Sequence, residues 1–411
     1  MQLRKLYRTI ERIASRSFTN EEELLQQVIL EIVQNEEINL KGGRIWKFDP
    51  AGGGYELLHQ VGDIEQIRQN YKIKIKDYPL FLELPKVRTF LGNEQDWYLR
   101  KRGILKYSAT GIGDKIQWHG HTLYRYVMAF NADHLDESLT STLNIISAAV
   151  SSVLRSFKIE HEAQALERDL DKARELQKSI LPQHEMRFHS FEMYGVSVPD
   201  KMVGGDFFDY LITDGDTERL AVVIGDAASK GFSAAAQALY TSGALRMGFD
   251  YQTKISSLLS RVNNLLNKTF SEEHFVSLFY TELTDDKNGL VIYANCGHNI
   301  PILLRHDSDT PEIIETTGQL LGPFPNETFR TENFLMNPDD ILLLYTDGVS
   351  EATNEHGDFY GEERILANLI ATRKLNARDI TRLIIEDVQK FNSHGTQSDD
   401  KTIVTVKRLA K

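Results

Sequence analysis

The sequence reads Leu220-Ala-Val-Val-Ile-Gly-Asp-Ala227 near its middle and Ile341-Leu-Leu-Leu-Tyr-Thr-Asp-Gly348 towards its end. Each stretch is a short apolar run of strand length that leads into an aspartate, Asp226 in the first and Asp347 in the second. Such a run predicts a buried strand. The carboxylate that follows would be held by buried backbone on one side and would face the rim of a domain on the other.

Two further aspartates lie in loops with similar flanks: Asp206 in Gly204-Gly-Asp-Phe-Phe-Asp209 and Asp399 in Ser398-Asp-Asp-Lys-Thr402. Carboxylate oxygens are hard ligands that suit magnesium or manganese and do not suit zinc or copper. Several carboxylates on one rim repel each other unless cations or protons neutralise them. Any one of these motifs is weak evidence, because Asp-Gly is above all a turn signal. The candidate site is therefore the set of four.

The C-terminal part of the chain, residues 185–411, has the pattern of an α+β domain. Short apolar strands are predicted at 220–224, 275–283, 290–294, 301–305, 341–345 and 402–407. Helices with an apolar stripe are predicted between and after them, one from Ile255 to Leu266 and one from Ile380 to Phe391. Strands and helices that occur in groups, without strict alternation, favour an α+β sandwich over a doubly wound sheet.

Residues 1–153 also have the pattern of a mixed α+β unit. The predicted elements are a helix at 21–34, strands at 43–48, 55–61, near Tyr107 and at 123–130, and an exit helix at 133–157. The glycine-rich cluster Asp49–Gly54 predicts a hairpin turn between the first two strands. This order of helix, hairpin, irregular stretch, late strands and exit helix resembles a GAF sensor module. The resemblance implies a sensor domain and names no ligand for it.

Residues 154–184 are predicted to form a helical linker. Its apolar residues recur every seven positions in two series offset by four: Ile159, Leu166, Ala173 and Ile180, and Ala163 and Leu170. Gln177 is a polar member of the second series, and the pattern predicts a dimeric coiled coil in which this residue sets the register. The alternative is an ordinary amphipathic helix packed on a neighbour. Pro182 ends the helix in either case.

The composition narrows the class of protein. The 411 residues carry 47 Lys and Arg against 59 Asp and Glu, a formal charge of -12, which argues against a nucleic-acid-binding surface. The single cysteine, Cys296, excludes an intrachain disulfide framework and a cysteine-based zinc site. No apolar run approaches the roughly 20 residues that span a bilayer, and the first residues lack the apolar core of a secretory signal. A cytoplasmic protein with no membrane span is therefore expected.

Further motifs accompany the four aspartates in a fixed order. They are Glu175-Leu-Gln-Lys-Ser-Ile-Leu-Pro-Gln183, Val203-Gly-Gly-Asp-Phe-Phe-Asp209, Gly225-Asp226 with Ser229-Lys-Gly231 and Ala234-Ala-Ala236, Tyr293-Ala-Asn-Cys-Gly-His-Asn299, Leu344-Tyr-Thr-Asp-Gly-Val-Ser-Glu-Ala352, Gly361-Glu-Glu-Arg364 and Asp399-Asp-Lys-Thr402. In this order they resemble the metal-dependent PPM (type 2C) serine/threonine protein phosphatases, in the bacterial branch of RsbU and SpoIIE. The resemblance implies an α-β-β-α sandwich for residues 185–411.

The resemblance also implies a centre of two metal ions, Mn²⁺ or Mg²⁺. Asp226 would be shared between the ions, with the carbonyl of Ala227 as an additional ligand. Asp347 and Asp399 would complete one ion, and Asp206 would hold the other directly or through water. Two such ions activate a water for in-line attack on a phosphoryl group without a covalent phosphoenzyme. The implied substrate is phosphoserine or phosphothreonine on a partner regulator, by resemblance an anti-anti-sigma factor.

The chain departs from the family pattern in the loop after Asp226. The branch typically has Val-Ser-Gly-Lys-Gly there, whereas this chain has Ala227-Ala-Ser-Lys-Gly231. A glycine is lost, although the carbonyl of Ala227 is still offered. Two interpretations stay open for His298: a structural hydrogen-bonding residue, which is favoured, or a general acid. Asp209 and Asp400 are either supporting groups of the site or merely solvated.

Two functions of different classes fit the sequence. The first is a phosphatase controlled by the GAF-like domain through the helical linker, acting as a homodimer joined by that linker. The second is a catalytically weak or inactive sensor and scaffold that binds a signalling partner. The presence of all four aspartates favours the enzyme.

Overall fold

The computed structural model describes residues 18–35, 40–132, 137–213, 218–251, 253–271, 273–284, 287–395 and 399–410. The chain divides into two compact units, Met1–Leu166 and Glu167–Lys411. Within the described ranges, no helix combines the length and the hydrophobicity that crossing a bilayer requires. The three segments expected from the sequence, 1–153, 154–184 and 185–411, stay a prediction.

The first unit is built on one antiparallel sheet. Helix α1 (Glu21–Val33) begins where the side chain of Asn20 accepts a hydrogen bond from the backbone N–H of Glu23. The strands are β1 Leu40–Asp49, β2 Gly54–Gly62, β3 Lys72–Lys74, β4 Thr89–Asn93, β5 Lys106–Trp118 and β6 His121–Ala132. Their order across the sheet is β3-β2-β1-β6-β5-β4. Two short helices, α2 (Leu84–Val87) and α3 (Trp97–Lys101), lie in the connections between β3 and β5.

Apolar side chains cover both faces of this sheet. On one face the sheet packs against α1, which contributes Leu25 and Ile29 to a buried cluster. On the other face a second cluster contains Trp46, Tyr55 and Tyr107. Alternate residues of β1 and β6 belong to the two clusters, because successive side chains of a strand point to opposite faces of the sheet. The predicted helix, hairpin and late strands of this unit are thus present, and whether the unit is GAF-like stays a prediction.

Helix α4 (Glu137–Ile180) is a single element of 44 residues. The residues 133–136, which were predicted to begin it, lie outside the described residues. The division between the two units falls inside this helix. Two members of the predicted seam, Ile159 and Leu166, are 60% and 63% exposed in the chain by itself. The structure is therefore compatible with a partner helix on this stripe, and the coiled coil stays a prediction.

The second unit contains two antiparallel sheets. Its strands are β7 Glu185–Phe188, β8 Phe191–Val198, β9 Phe207–Leu211, β10 Arg219–Ala227, β11 Val276–Thr284, β12 Leu290–Cys296, β13 Ile302–Leu304, β14 Glu332–Leu335, β15 Ile341–Tyr345 and β16 Lys401–Arg408. The strand order is β14-β12-β11-β10-β9 in one sheet and β13-β15-β16-β8-β7 in the other. Its helices are α5 Phe232–Asp250, α6 Ile255–Thr269, α7 Asp347–Ser350, α8 Glu362–Thr372 and α9 Ala377–Phe391.

The buried clusters of this unit define its layers. One cluster joins α5 and α6 to the first sheet, with Leu245, Leu259 and Val223 among its members. A central cluster takes residues from the facing sides of both sheets. A third joins α8 and α9 to the second sheet, including Leu343 and Ile384. The layers are therefore helix, sheet, sheet, helix, and the α+β prediction is confirmed. Strands β7, β8, β9 and β14 were not predicted.

Candidate metal centre

Asp206 and Asp226 meet at one edge of the first sheet. Asp226 is the last residue but one of β10, and Asp206 immediately precedes β9. The two strands are antiparallel neighbours with Gly225 opposite Phe207, so the register brings the two aspartates side by side. Their carboxyl groups are close enough to share a hydrogen bond. Gly205 is needed here, because a Cβ at that position would lie 2.9 Å from the carbonyl oxygen of Ala227.

Asp347 and Asp399 meet at the corresponding edge of the second sheet. Asp347 is the first residue of α7, directly after the strand β15 and Thr346. Asp399 precedes β16, which pairs antiparallel with β15. The backbone passes close by at this point, since a Cβ on Gly348 would lie 2.0 Å from the carbonyl oxygen of Asp400. Only glycine fits after Asp347, which explains the Asp-Gly pair in physical terms.

Thr346 joins the two edges. Its hydroxyl donates a hydrogen bond of 2.7 Å to Oδ2 of Asp206 and accepts one of 3.0 Å from the backbone N–H of Thr402. Thr346 is fully buried. The carboxylate from the first sheet is thus positioned by a residue from the second. Thr346 stands next to Asp347 in the apolar stretch quoted above, but no pattern in the sequence indicates that its hydroxyl faces Asp206.

Asp400 is a supporting group and not merely solvated. Its Oδ2 accepts a hydrogen bond of 2.6 Å from the backbone N–H of Gly205, and its Oδ1 accepts one of 2.8 Å from that of Asp200. These bonds span about two hundred residues of sequence and fix the loop that carries Asp206. Of the two neighbouring aspartates, Asp399 faces the candidate centre while Asp400 shapes its wall.

The site concentrates negative charge. Burial, then repulsion by Asp347 and Asp399, raises the pKa of Asp226 to about 7. Burial, followed by the charge of Asp226, raises the pKa of Asp206 well above its usual range, and burial with the charge of Asp399 raises the pKa of Asp347. Lys230, on the rim, offsets part of this charge, because its Nζ lies 2.8 Å from Oδ2 of Asp399. Both of those side chains are about half exposed.

The donor set fits a hard divalent cation. The charges of Asp347 and Asp399 act on the carboxylate of Asp226, which shares a hydrogen bond with Asp206, and a Cβ on Gly205 would lie 2.9 Å from the carbonyl oxygen of Ala227. The pKa values of Asp206, Asp226 and Asp347 are all raised, and a cation relieves repulsion among carboxylates of this kind. Oxygen-only ligands select magnesium or manganese over zinc. Among the described residues, no three His, Cys, Asp or Glu side chains converge tightly enough to count as a complete metal-binding group. The assignment of each aspartate to an ion therefore stays a prediction.

His298 supports the strand beside Asp226. Its Nδ1 lies 2.7 Å from Oγ of Ser277, and Ser277 is directly opposite Asp226 in the pairing of β10 with β11. Its backbone N–H donates a hydrogen bond of 2.8 Å to the side chain of Asn295. Burial lowers the pKa of His298 to about 4, so the ring is uncharged at neutral pH. Its environment favours the structural interpretation over that of a general acid.

Ser229 occupies the position at which the loop has lost a glycine. Its φ is +152°, in a region that side chains rarely adopt, and its Oγ accepts a hydrogen bond of 3.0 Å from Nε2 of Gln237. Backbone strain of this kind costs on the order of 1–3 kcal/mol and is often found at functional sites. The loop is therefore built differently from the family pattern and is held by a side chain of α5.

A pair of substitutions separates strain from hydrogen bonding at this position. Ser229→Ala and Ser229→Gly both remove the hydrogen bond to Gln237, but only the glycine variant relieves the strained φ. We expect Ser229→Gly to melt a few degrees above Ser229→Ala in thermal unfolding, because about 1 kcal/mol shifts the melting temperature by roughly 2–4 °C in a unit of this size. Equal melting temperatures would show that the backbone at Ser229 is unstrained.

The last turn of α4 is fixed to the loop that carries Asp206. The side-chain amide of Gln177 donates a hydrogen bond of 2.7 Å to the carbonyl of Gly204, and its Oε1 accepts one of 3.3 Å from the N–H of the same residue. Gln177 is 8% exposed. The prediction that Gln177 faces a partner helix and sets the register of a coiled coil is therefore wrong. Its side-chain amide instead forms hydrogen bonds with the backbone of Gly204 in the same chain.

A second contact holds the same helix end. The guanidinium of Arg246 donates two hydrogen bonds to the carboxylate of Asp209, of 2.6 and 3.0 Å, and one of 2.7 Å to the carbonyl of Ile180. The carbonyls at a helix C-terminus lack partners within the helix, so this arginine caps α4. Asp209 is thus a structural ion-pair partner in β9. Neither this contact nor that of Gln177 could be foreseen from the sequence.

Comparison with known proteins identifies a family model that matches the second unit, and relatives of the chain. Residues 216–409 match the family model described as Stage II sporulation protein E (SpoIIE). Protein IcfG of Synechocystis is 27% identical over 268 residues, which cover 58% of this chain and 41% of IcfG. Phosphoserine phosphatase RsbU of Bacillus subtilis is 22% identical over 246 residues, which cover 60% of this chain and 71% of RsbU. The chain thus spans less than half the length of IcfG.

The chain also resembles solved structures. The SiaA-PP2C domain of Pseudomonas aeruginosa superposes with a TM-score of 0.51 at 17% identity, covering 60% of this chain and 98% of that domain. At this identity the similarity concerns the fold.

Proposed function

We propose that the protein is a metal-dependent phosphatase that hydrolyses phosphoserine or phosphothreonine on a partner protein. The match of residues 216–409 to the SpoIIE family model supports this proposal, and so does the similarity in fold to the SiaA-PP2C domain. The observation that supports the proposal is the meeting of Asp206, Asp226, Asp347 and Asp399 at the joined edges of the two sheets. The similarity to RsbU, itself a phosphoserine phosphatase, points to the same class of substrate.

The residues of the site have separable tasks in this proposal. Asp226 and the Ala227 carbonyl would bind both ions, Asp347 and Asp399 would complete one of them, and Asp206 would hold the other. When bound, two Mn²⁺ or Mg²⁺ ions activate a water and neutralise the charge of the phosphoryl group. Thr346 and Asp400 keep the carboxylate of Asp206 in place through the hydrogen bonds described above.

Two further residues, Lys230 and Cys296, bear on how the phosphoryl group would be bound and hydrolysed. Lys230 is exposed on the rim, where its positive charge would attract a phosphate dianion towards an otherwise acidic site. Cys296 is fully buried, and burial raises the pKa of its thiol far above neutral pH. A thiol in that state is a poor nucleophile, so hydrolysis by direct attack of water fits this chain better than a cysteinyl-phosphate intermediate.

The deciding experiment measures phosphate release from a phosphoserine protein by the intact chain. We expect turnover with added Mn²⁺ or Mg²⁺ and none in a chelator, and calorimetry should show metal binding without substrate. Binding of the phosphoprotein without turnover under any metal would favour the second candidate, a weak or inactive scaffold. The four aspartates are all present, which supports the enzyme.

The substrate and its control are further parts of the proposal. A phosphorylated regulatory protein of the anti-anti-sigma type is the expected substrate, by the resemblance of the C-terminal motifs to the RsbU branch. The first unit would act as a sensor for a ligand or partner and would alter turnover through α4. Deleting residues 1–150 should then change turnover on a phosphoserine substrate. Unchanged turnover would mean that the first unit has another task, such as localisation.

We also propose that the protein is a homodimer joined along α4. The stripe with Ile159 and Leu166 is exposed in the isolated chain, and an apolar stripe of this length in water favours association. Leu166→Asp is expected to convert a dimer into a monomer in multi-angle light scattering. Arg168→Asp, on the opposite side of the heptad, serves as the matched control and should leave the mass unchanged. A monomeric parent protein at high micromolar concentration would refute the proposal.

A further inference from the structure

A small cavity lies inside the first unit, on the face of the sheet that carries Trp46. Its walls are mainly apolar and aromatic, and they include Trp46, Tyr78, Phe81 and Tyr107. The residues that line the cavity lie between 44 and 129, and none of them belongs to the candidate metal centre. A buried aromatic chamber with few polar groups is the usual form of a small-molecule site.

One of those few polar groups, the guanidinium of Arg44, has an N–H that makes no hydrogen bond among the described residues. Arg44 is 3% exposed, and its two terminal nitrogens donate hydrogen bonds of 2.7 and 2.6 Å to the side chain of Asn131 and the carbonyl of Glu65. Its third nitrogen, Nε, is buried and has no hydrogen-bond partner among the described residues. A buried N–H of a charged group that is left unpaired costs on the order of 1–3 kcal/mol or more. An acceptor inside the cavity would remove this cost.

Glu94 lines the same cavity as Arg44 and carries the opposite charge. Glu94, 6% exposed, accepts hydrogen bonds from the hydroxyl of Tyr78 and from the backbone N–H groups of Gln95 and Asp96. Its negative charge acts on Arg44 and partly opposes the effect of burial, which lowers the pKa of Arg44 to about 10. Arg44 therefore remains charged at neutral pH, and the two charges offset each other. An occupant that fits these surroundings carries no net charge.

We propose that the cavity is a binding site for a small, uncharged aromatic molecule that bears a hydrogen-bond acceptor, which Nε of Arg44 engages. The aromatic walls would contact the ring of the ligand, and the acceptor would satisfy the unused donor. A charged acid is disfavoured because it would place a second negative charge beside Glu94. A pure hydrocarbon is disfavoured because it would leave Nε unpaired.

The site must open to admit such a ligand. The cavity has a volume of about 30 Å³, whereas a cavity that binds benzene measures roughly 150 Å³. Its cover is the segment that contains α3, which contributes the inward-facing Leu99 and Ile104. The outer side of this cover exposes Trp97 and Leu105. A helix of five residues is not stable by itself, so α3 is the part that can move at the lowest cost in free energy.

Three probes of similar shape test the chemistry of the site. Benzamide is uncharged and carries an acceptor, benzoate has the same shape with a negative charge, and toluene lacks the acceptor. We expect benzamide to bind the intact chain with a Kd of about 1 mM in ligand-observed NMR, as befits a ligand of this size. Benzoate and toluene should bind at least ten times more weakly. Failure of all three probes to bind, or equal binding of the three, would overturn the proposal.

A matched pair of variants tests the location. Ile104→Phe fills the cavity from the side of the cover, and Leu105→Phe adds the same ring one residue further on, where the side chain is exposed. We expect the first to abolish benzamide binding and the second to retain it. Ala129→Leu, which fills the cavity from β6, should act like Ile104→Phe. Benzamide binding that survives both cavity-filling variants, each folded by circular dichroism, would place the ligand elsewhere and refute the site. These readouts do not depend on phosphatase activity.

Discussion

Asp226→Asn is expected to lower phosphate release by several orders of magnitude while leaving the protein folded. Asp226 lies where the charges of Asp347 and Asp399 act on one carboxylate, and it shares a hydrogen bond with Asp206. Replacing it by an amide of the same shape removes one negative charge from the residue that both ions would share. Metal affinity should therefore fall further than after a substitution at the edge of the site. The measurement is kcat/KM on a phosphoserine protein over a range of Mn²⁺ concentrations.

The same substitution should stabilise the metal-free protein. Asp226 is a partly buried carboxylate among like charges, and its raised pKa shows that the charged form is disfavoured in the folded state. The neutral amide removes this repulsion, so the melting temperature in chelator is expected to rise by a few degrees, as often happens when a residue selected for activity is replaced. Asp307→Asn, at an exposed aspartate outside the site, is the control for both measurements. Full activity in Asp226→Asn would show that the two-metal assignment is wrong.

The parts of the fold that the sequence predicts well are those in which local pattern and tertiary burial agree. Strand β15 is apolar throughout and β10 is apolar from Leu220 to Ile224, because both sheets are covered on each face, and continuous apolar runs mark strands of that kind. Their aspartates could be predicted as well, since each follows the end of such a run. The four-layer arrangement then follows from helices with one apolar face on each side of the paired sheets.

The parts that escaped prediction depend on contacts between segments distant in sequence. Asp399 and Asp400 are neighbours of the same type, and only the folded backbone assigns one to the candidate centre and the other to the loop at Gly205. Thr346 is indistinguishable from any strand-end threonine until Asp206 lies opposite it. Gln177 fits a heptad position equally well, but a heptad pattern cannot show whether its face meets another chain or the same chain. Periodicity specifies which face is buried and not what buries it.

Gln177→Leu is expected to lower turnover about tenfold or more, although Gln177 touches none of the four aspartates. Its amide pairs with both the N–H and the C=O of Gly204, which is two residues from Asp206. Leucine has a similar volume but offers no hydrogen bond, so both backbone groups would lose their partner at a cost of about 1–3 kcal/mol for each buried group. The loop would relieve that cost by moving, and the carboxylate of Asp206 would move with it.

The effect of Gln177→Leu should appear mainly in metal binding and turnover, and less in affinity for the phosphoprotein. Weaker binding of Mn²⁺ in calorimetry, together with partial recovery of turnover at high Mn²⁺, would identify displacement of Asp206 as the cause. Lys178→Leu, at the next residue of the same turn, is the matched control because its side chain is 56% exposed and its ion pair with Glu175 lies on the surface. It should leave both measurements unchanged. If Gln177→Leu behaves like this control, the end of α4 is only a support for the domain. Control of the enzyme through that helix would then need a different contact, such as the hydrogen bond from Arg246 to the carbonyl of Ile180.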